Sequence, residues 1–298
     1  MLRIGALVAL IGLLGAVYGV IRPSLLHWGA TAAEIGRTMP EDGIVPHPAF
    51  DATRAITIGA RPEAVWPWLA QMGYGRAGFY GYDLIENPGG GAGLRSADRI
   101  LPQWQHPRTG DVLPLSIAAR LVYGTVDPGR CVVWRAPDNP PSGVFIWELT
   151  PVDAGHTRLI SRIRWNYLHD PLDFALGLFT EFADHVAVRA ILKGIRDRAE
   201  GRAPRSLGSQ GVEIGAWLFT LLEFAAAVLL VLFTREWRVA WLFALAAGLA
   251  LEFELYAGAP AAVTAMLPLF LLALGMRALR RRGMRRSLGS EAGISART

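Results

Sequence analysis

The chain has one cysteine in 298 residues, Cys131, and one lysine, Lys193. A single cysteine excludes an intrachain disulfide and any cysteine-built metal cage. Cys131 lies in an apolar run and reads as a buried strand residue. The six histidines are scattered at positions 27, 47, 106, 156, 169 and 185, so no histidine cluster supports a metal, and no cofactor is expected. No Ser/His/Asp or Cys/His arrangement of a nucleophilic enzyme is visible. The dominance of arginine over lysine reads as the mark of a GC-rich genome rather than of mechanism. A basic domain surface is lacking as well. The isoelectric point is about 9.8, yet residues 22–205 carry 20 basic against 19 acidic side chains. The excess sits in the tail from Arg277 to Thr298, with seven arginines against Glu291. Such a tail beside an apolar run favours anionic lipid, and no nucleic-acid partner is expected.

Apolar residues, by contrast, are abundant at 52%, with a mean hydropathy of +0.30, and they gather at both ends. Ile4 to Ile21 is an uncharged run of 18, long enough to cross a bilayer. It is too long for a signal-peptide core and lacks a good cleavage site, so an uncleaved anchor is expected. Ile214–Phe233 contains only Glu223, Val239–Leu251 is apolar and closes on Glu252 and Glu254, and Ala257–Met276 is uncharged. These read as about three C-terminal spans, the middle one short. An intramembrane carboxylate is a functional suspicion. Glu252 and Glu254 are expected at the interface, which leaves Glu223 as the residue to test. Arginines after Met276 and at 235 and 238 should stay cytoplasmic. That places the intervening domain outside the cytoplasm, against the positive run Lys193–Arg205, which long translocated domains tolerate.

Between the apolar ends, Ala55-Ile56-Thr57-Ile58 alternates like a half-buried strand. Pro62 and Glu63 then open a helix with Val65, Trp66, Leu69 and Met72 at helical spacing. A loop dense in glycine and aromatics follows, with Tyr74, Phe79, Tyr80 and Tyr82. Within it, Gly73 to Gly78 matches G-x-G-x-x-G, but a helix precedes it and no helix follows, so it is no dinucleotide fingerprint. Gly89-Gly90-Gly91 lacks the Lys-Ser/Thr of a phosphate loop and reads as a flexible turn. Strands are expected at 111–117, 120–127, 130–136, 143–150 and 156–166, separated by turns at Asp127-Pro128-Gly129 and Asp153-Ala154-Gly155. Pro171 opens a helix to about Glu200 with an apolar stripe through Leu172, Ala175, Leu178, Phe179, Phe182, Val186, Ala190, Ile191 and Ile195.

Ile58 to Asn87, with its Pro62-Glu63, Val65-Trp66-Pro67-Trp68-Leu69, Gln71-Met72-Gly73 and Gly78-Phe79-Tyr80 elements, resembles the SRPBCC superfamily, which includes START domains and polyketide cyclases. It is most similar to a bacterial membrane-anchored branch. The resemblance continues through Ala97-Asp98-Arg99-Ile100, Gly110-Asp111, Trp147-Glu148-Leu149, Thr157 to Ile160 and Ile191 to Ile195, covering about residues 50–202. It implies an α+β helix-grip domain, an antiparallel sheet wrapped around a long C-terminal helix, with a cavity for a hydrophobic or amphipathic ligand. The superfamily hosts carriers, cyclases and regulators, so the resemblance speaks to fold rather than function.

The expected organisation is an N-terminal transmembrane helix (1–22), a linker (23–49), the ligand-binding domain (50–202), a second linker (203–211), about three transmembrane helices (212–277) and a basic tail (278–298). The expected lining of the cavity is Trp66, Phe79, Tyr80, Tyr82, Trp104, Trp147, Phe179, Phe182 and Val186, with Tyr80, Tyr82 and Trp104 at the mouth. Tyr and Trp combine apolar rings with a polar handle suited to an amphipathic ligand. Arg76, Asp83, Glu86 and His106 are the candidates for a polar site. The preferred reading is that Arg76 and Arg99 pair with Asp83 and Glu86 to pin the loop. Glu181, Asp184 and His185 have metal-ligand spacing, but they stand beside the expected stripe and read as a solvated helix edge. The function expected is a membrane-anchored binder of a lipid-like molecule. A cyclase- or hydratase-type enzyme on a hydrophobic substrate, and a non-catalytic membrane accessory protein, are the alternatives. The sequence assigns no oligomeric state.

Overall fold

The computed structural model describes residues 1–87, 93–167 and 171–257, together with 264, 266–269 and 273. The glycine turn at 89–91, His169, most of the run 257–276 and the basic tail lie outside the described residues. The chain divides into two compact units, Arg22–Gly211 and Met1–Ile21 with Val212–Thr298.

Helix α1 (Leu2–Leu26) and the short α2 (Ala32–Gly36) precede β1 (Phe50–Ile58), α3 (Pro62–Ala70) and the single turn α4 (Asp83–Glu86). Strands β2 (Val112–Pro114), β3 (Arg120–Asp127), β4 (Cys131–Arg135), β5 (Gly143–Pro151) and β6 (Thr157–Trp165) follow, and then α5 (Pro171–Ala199). The strands form one antiparallel sheet in the order β1-β6-β5-β4-β3-β2, so β1 closes against the last strand and the rest is a meander. α5 packs on β1 and α3. Pro62 sits in the first turn of α3, where its missing N–H costs no helix bond.

Register assigns the two faces. Phe145 stands opposite Ile163, Trp147 opposite Ser161 and Leu149 opposite Leu159, and this row faces α3 and α5. The alternate row, Val144, Ile146 and Ile160 with Ala55 and Val133, packs beneath Met39 and Ile44. The segment read as a linker at 23–49 thus covers the outer face of the sheet, within the compact unit. Arginines on the sheet hold it there. Arg162 donates to Asp42 at 2.6 Å and to the carbonyls of Glu34, Ile35 and Arg37. Arg135 binds Glu41 through two nitrogens at 2.5 and 2.6 Å. Arg158 binds Glu34 at 2.7 and 2.9 Å, and this hydrogen bonding holds the Glu34 carboxyl at about 2. Bidentate arginine–carboxylate pairs fix geometry as well as adding attraction, which explains how a Pro- and Gly-rich segment takes up a fixed path.

In the other unit, three helices are long and apolar enough to cross a membrane: α1, α6 (Leu207–Phe233) and Trp237–Tyr256, which joins α7 (Trp237–Glu252) to a π-helical turn (Phe253–Ala257). The middle C-terminal span is therefore longer than Val239–Leu251. Leu10, Ala227, Phe243 and Ala244 form its core, and the Trp241 indole donates to the Ala6 carbonyl at 2.7 Å. Glu254 packs inside this unit. It is buried and accepts from the hydroxyls of Thr220 at 3.0 Å and Thr264 at 2.7 Å. Glu223 is buried too, with no hydrogen-bond partner for either carboxylate oxygen among the described residues.

Candidate functional site

A cavity of about 540 Å³ lies between the inner face of the sheet and α5. The sheet contributes Leu121, Trp134, Phe145, Trp147, Ile163 and Trp165, and Phe79 comes from the glycine-aromatic loop. Residues one apart in each strand point to opposite faces, so Trp134, Phe145 with Trp147, and Ile163 with Trp165 form one aromatic-aliphatic wall. Phe145 packs against Trp134 and Trp147 with ring centroids 5.7 and 5.0 Å apart. Gly143 is opposite Trp165, and a β-carbon there would collide with the indole, so glycine lets Trp165 lie over the strand. Leu115, Ala119 and Arg120 rim one side.

The helix offers the cavity Thr180, Ala183, Asp184, Ala187, Val188 and Ile191. Their spacing is that of one helical face. It is not the face expected from Phe179, Phe182 and Val186: Phe179 is 67% exposed, and neither Phe182 nor Val186 lines the cavity. The stripe follows the largest apolar residues, whereas the cavity-facing row has alanines at 183 and 187. Large side chains there would fill the space.

Beside the cavity, the reading of Glu181, Asp184 and His185 as a solvated edge is overturned, because all three are buried. Arg54 on β1, 1% exposed, reaches from the inner face of the sheet to this helix. Its Nη1 donates to Asp184 at 2.5 Å, its Nη2 to His185 Nδ1 at 2.7 Å and its Nε to the Leu25 carbonyl at 2.8 Å. That bond leaves the imidazole proton on Nε2, 3.5 Å from Glu181. Arg22 binds Glu181 at 2.5 and 3.0 Å, and the Tyr167 hydroxyl donates to it at 3.2 Å. Two guanidiniums therefore balance two carboxylates. Burial pushes the Asp184 carboxyl up, with Arg54 opposing it. Burial also pushes His185 down, toward the neutral form.

Glu86 is a further polar group in the cavity wall. Its Oε2 accepts from the Gly81 N–H at 3.1 Å, while Oε1 is sealed from solvent and has no hydrogen-bond partner among the described residues. Desolvation raises its carboxyl to about 7. A carboxylic acid protonated near neutrality can donate a hydrogen bond or exchange a proton with a ligand.

The remaining expected residues fall in three places. Trp66, Tyr80 and Tyr82 are buried outside the cavity lining. Tyr80 has a positive φ of 70°, a strained conformation for a bulky residue. It is held by its hydroxyl on the Trp68 carbonyl at 3.0 Å, its N–H on Ser96 at 2.9 Å and the Arg198 guanidinium 4.6 Å above its ring. Gly194 allows this approach, since a β-carbon there would overlap the Tyr80 carbonyl. Arg76, Trp104 and His106 gather at a separate pocket of about 320 Å³. Arg76 lies 4.6 Å over Trp104 and donates to the Tyr123 hydroxyl at 2.8 Å. Asp83 lines a third pocket, of about 370 Å³. The pairing of Arg76 and Arg99 with Asp83 and Glu86 is not formed. Asp83 is held by Ser96, Asn87 and Gln210 instead.

No family model matches the chain, and no curated protein matches it. Solved structures with similarity include a protein from Mesorhizobium loti, 15% identical, covering 52% of this chain and 99% of that one at a TM-score of 0.32. A polyketide-cyclase-like protein from Corynebacterium glutamicum is 14% identical, covering 49% and 88% at 0.31. A protein from Thermus thermophilus is 13% identical, covering 51% and 98% at 0.33.

Proposed function

We propose that the unit Arg22–Gly211 is a helix-grip binding domain of the SRPBCC kind. It holds a hydrophobic or amphipathic, lipid-like small molecule, and apolar helices fix it to a membrane, with the domain outside the cytoplasm. The observation that carries this reading is the 540 Å³ cavity, within the range of small-molecule sites and mostly apolar with a few polar groups. Burying apolar ligand surface there contributes roughly 25 cal/mol per Å² before the costs of association.

Ala187→Trp should fill the cavity from the helix side. Native mass spectrometry of the full chain released from detergent is expected to show a hydrophobic adduct on the wild type and none on the variant, with melting temperatures within a few degrees. An adduct retained by Ala187→Trp would reject this cavity as the site. A variant that melts much earlier, beside a wild type without adduct, would mean that the space cannot accept an indole; over-packing costs about 1–3 kcal/mol.

The enzymatic reading is favoured by one observation, the buried Glu86 Oε1 that lines the cavity with no hydrogen-bond partner among the described residues, its carboxyl raised to about 7 by desolvation. Under it, Glu86 would exchange a proton with a carbonyl or hydroxyl of the bound molecule. Glu86→Gln would then abolish turnover while leaving the adduct in place. For a pure binder the same substitution changes only affinity.

A further inference from the structure

The 370 Å³ pocket is separate from the cavity and chemically unlike it. Four guanidiniums, Arg95, Arg99, Arg198 and Arg205, line it with two carboxylates, Asp83 and Asp98. Asp83 is already engaged by the Ser96 N–H and hydroxyl and by the side-chain amides of Asn87 and Gln210. Asp98 is exposed.

Arg198 is 9% exposed. Its Nε and Nη1 donate to the carbonyls of Ala97 at 2.8 Å and Gly194 at 3.1 Å, and its plane lies over Tyr80. Among the described residues no carboxylate forms an ion pair with it, and its Nη2 makes no hydrogen bond. Asp83, Asp98 and Asp197 attract it without closing an ion pair, and the unused donor belongs to a side chain lining an open pocket. Arg205 stacks over Tyr82 at 5.2 Å. Arg95 and Arg99 are exposed and, among the described residues, form no ion pair. Planar guanidiniums converging in this way suit a phosphate, which they bind through paired N–H donors.

The surroundings say which phosphate. Leu84, Ile85, Leu94 and Ile100 are large apolar residues left exposed in the same stretch of chain, and Leu94 and Ile100 flank Arg95 and Arg99 in sequence. A soluble phosphate has no use for exposed apolar residues next to the arginines in the chain, whereas a lipid presents its phosphate beside hydrocarbon. Arg205 also stands two residues before Leu207, where the apolar helix α6 begins.

We propose that this pocket binds the phosphate of an anionic membrane lipid. Arg198 is the fixed donor, Arg95 and Arg99 complete the ring of charge, and Leu94 with Ile100 enters the acyl boundary. This site rests on the reading of the apolar helices as membrane spans and is independent of the cavity. The test is calorimetric titration of the full chain in a neutral detergent with short-chain phosphatidylglycerol, short-chain phosphatidylcholine and inorganic phosphate, on the wild type and on Arg95→Gln/Arg99→Gln.

Phosphatidylglycerol should bind the wild type, and the double substitution should weaken it about tenfold or more. The melting temperature should not change, since neither side chain has an ion-pair partner to lose among the described residues. Phosphatidylcholine, whose choline cation faces the arginines, and inorganic phosphate, which leaves Leu94 and Ile100 unused, should both bind at least about tenfold more weakly. The arginine tail beyond Met276 is present in both proteins and cancels in the comparison. Equal affinity of the two proteins for phosphatidylglycerol, equal affinity for free phosphate, or no binding at all would overturn the proposal.

Discussion

Arg54→Met is expected to lower the melting temperature of the full chain by about 10 °C. Arg54 is fully buried and satisfies three acceptors at once: the Leu25 carbonyl, Asp184 and His185. Methionine fills much of the same volume, so little of the loss comes from packing. What remains is a carboxylate at the edge of an apolar cavity without its counter-charge, and breaking a buried pair from one side costs about 3–5 kcal/mol. The pH dependence has a definite sign. The Asp184 carboxyl lies above its ordinary 3.8 in the folded protein because burial outweighs Arg54. Without Arg54 it moves further up, so the folded variant holds a proton that the unfolded chain has lost. Stability of Arg54→Met should therefore fall as pH rises above about 4, and the gap from wild type should be smallest in acid. Melting curves across that range, read by circular dichroism, check both points. The paired replacement Arg54→Met/Asp184→Leu should recover much of the loss, because removing both charges removes the orphan. A shift within about 2 °C for Arg54→Met alone would mean that the pair does not hold β1 to α5.

That pair marks where a reading of the sequence stops. The strands were legible because β-branched and aromatic residues alternate between turn signals, and the observed β3 to β6 lie within about a residue of the expected runs. The long helix was legible from Pro171 onward. Its inward face was not. Phe179, Phe182 and Val186 are larger than Ala183 and Ala187, and burial was assigned by size. A helix that bounds a cavity reverses that inference, since the cavity-facing row must stay small. Asp184 and His185 were legible as a spacing, but their burial depends on Arg54, 130 positions away from Asp184, and no local pattern carries that. The period-two row of Trp134, Phe145, Trp147, Ile163 and Trp165 was the available signal for the cavity wall, because strand register puts them on one face. The covering of the outer face by residues 23–49 was hidden for a related reason. Buried arginines on β6 look like solvated charges until the carboxylates and carbonyls of the covering segment are placed over them.

Glu86 carries the last expected result, a stability that declines through the neutral range. Its carboxyl lies at about 7 in the folded protein, raised by desolvation from an ordinary 4.5. Between those values the folded state keeps a proton that the unfolded chain releases, so stability is greatest in mild acid and is lost as pH rises toward 7 and beyond. The full difference is of order 3 kcal/mol by pH 8, worth roughly 6–12 °C in melting temperature for a domain of this size. Glu86→Gln keeps the hydrogen bond from Gly81 and cannot ionise, so its melting temperature should be higher than wild type at pH 8 and lose this part of the pH slope. Ligand binding should follow the same titration. The protonated acid donates a hydrogen bond into the cavity, whereas the carboxylate places an unpaired charge against an apolar molecule. Affinity of the wild type for an apolar probe bearing a carbonyl should then drop between about pH 6 and 8, and that of Glu86→Gln should stay level. If both proteins lose affinity in parallel, the titrating group is elsewhere and Glu86 is only a cap on its own turn. If wild type and variant also melt alike at pH 8, the carboxyl is ionised and solvated, and the acid–base reading of the cavity fails with it.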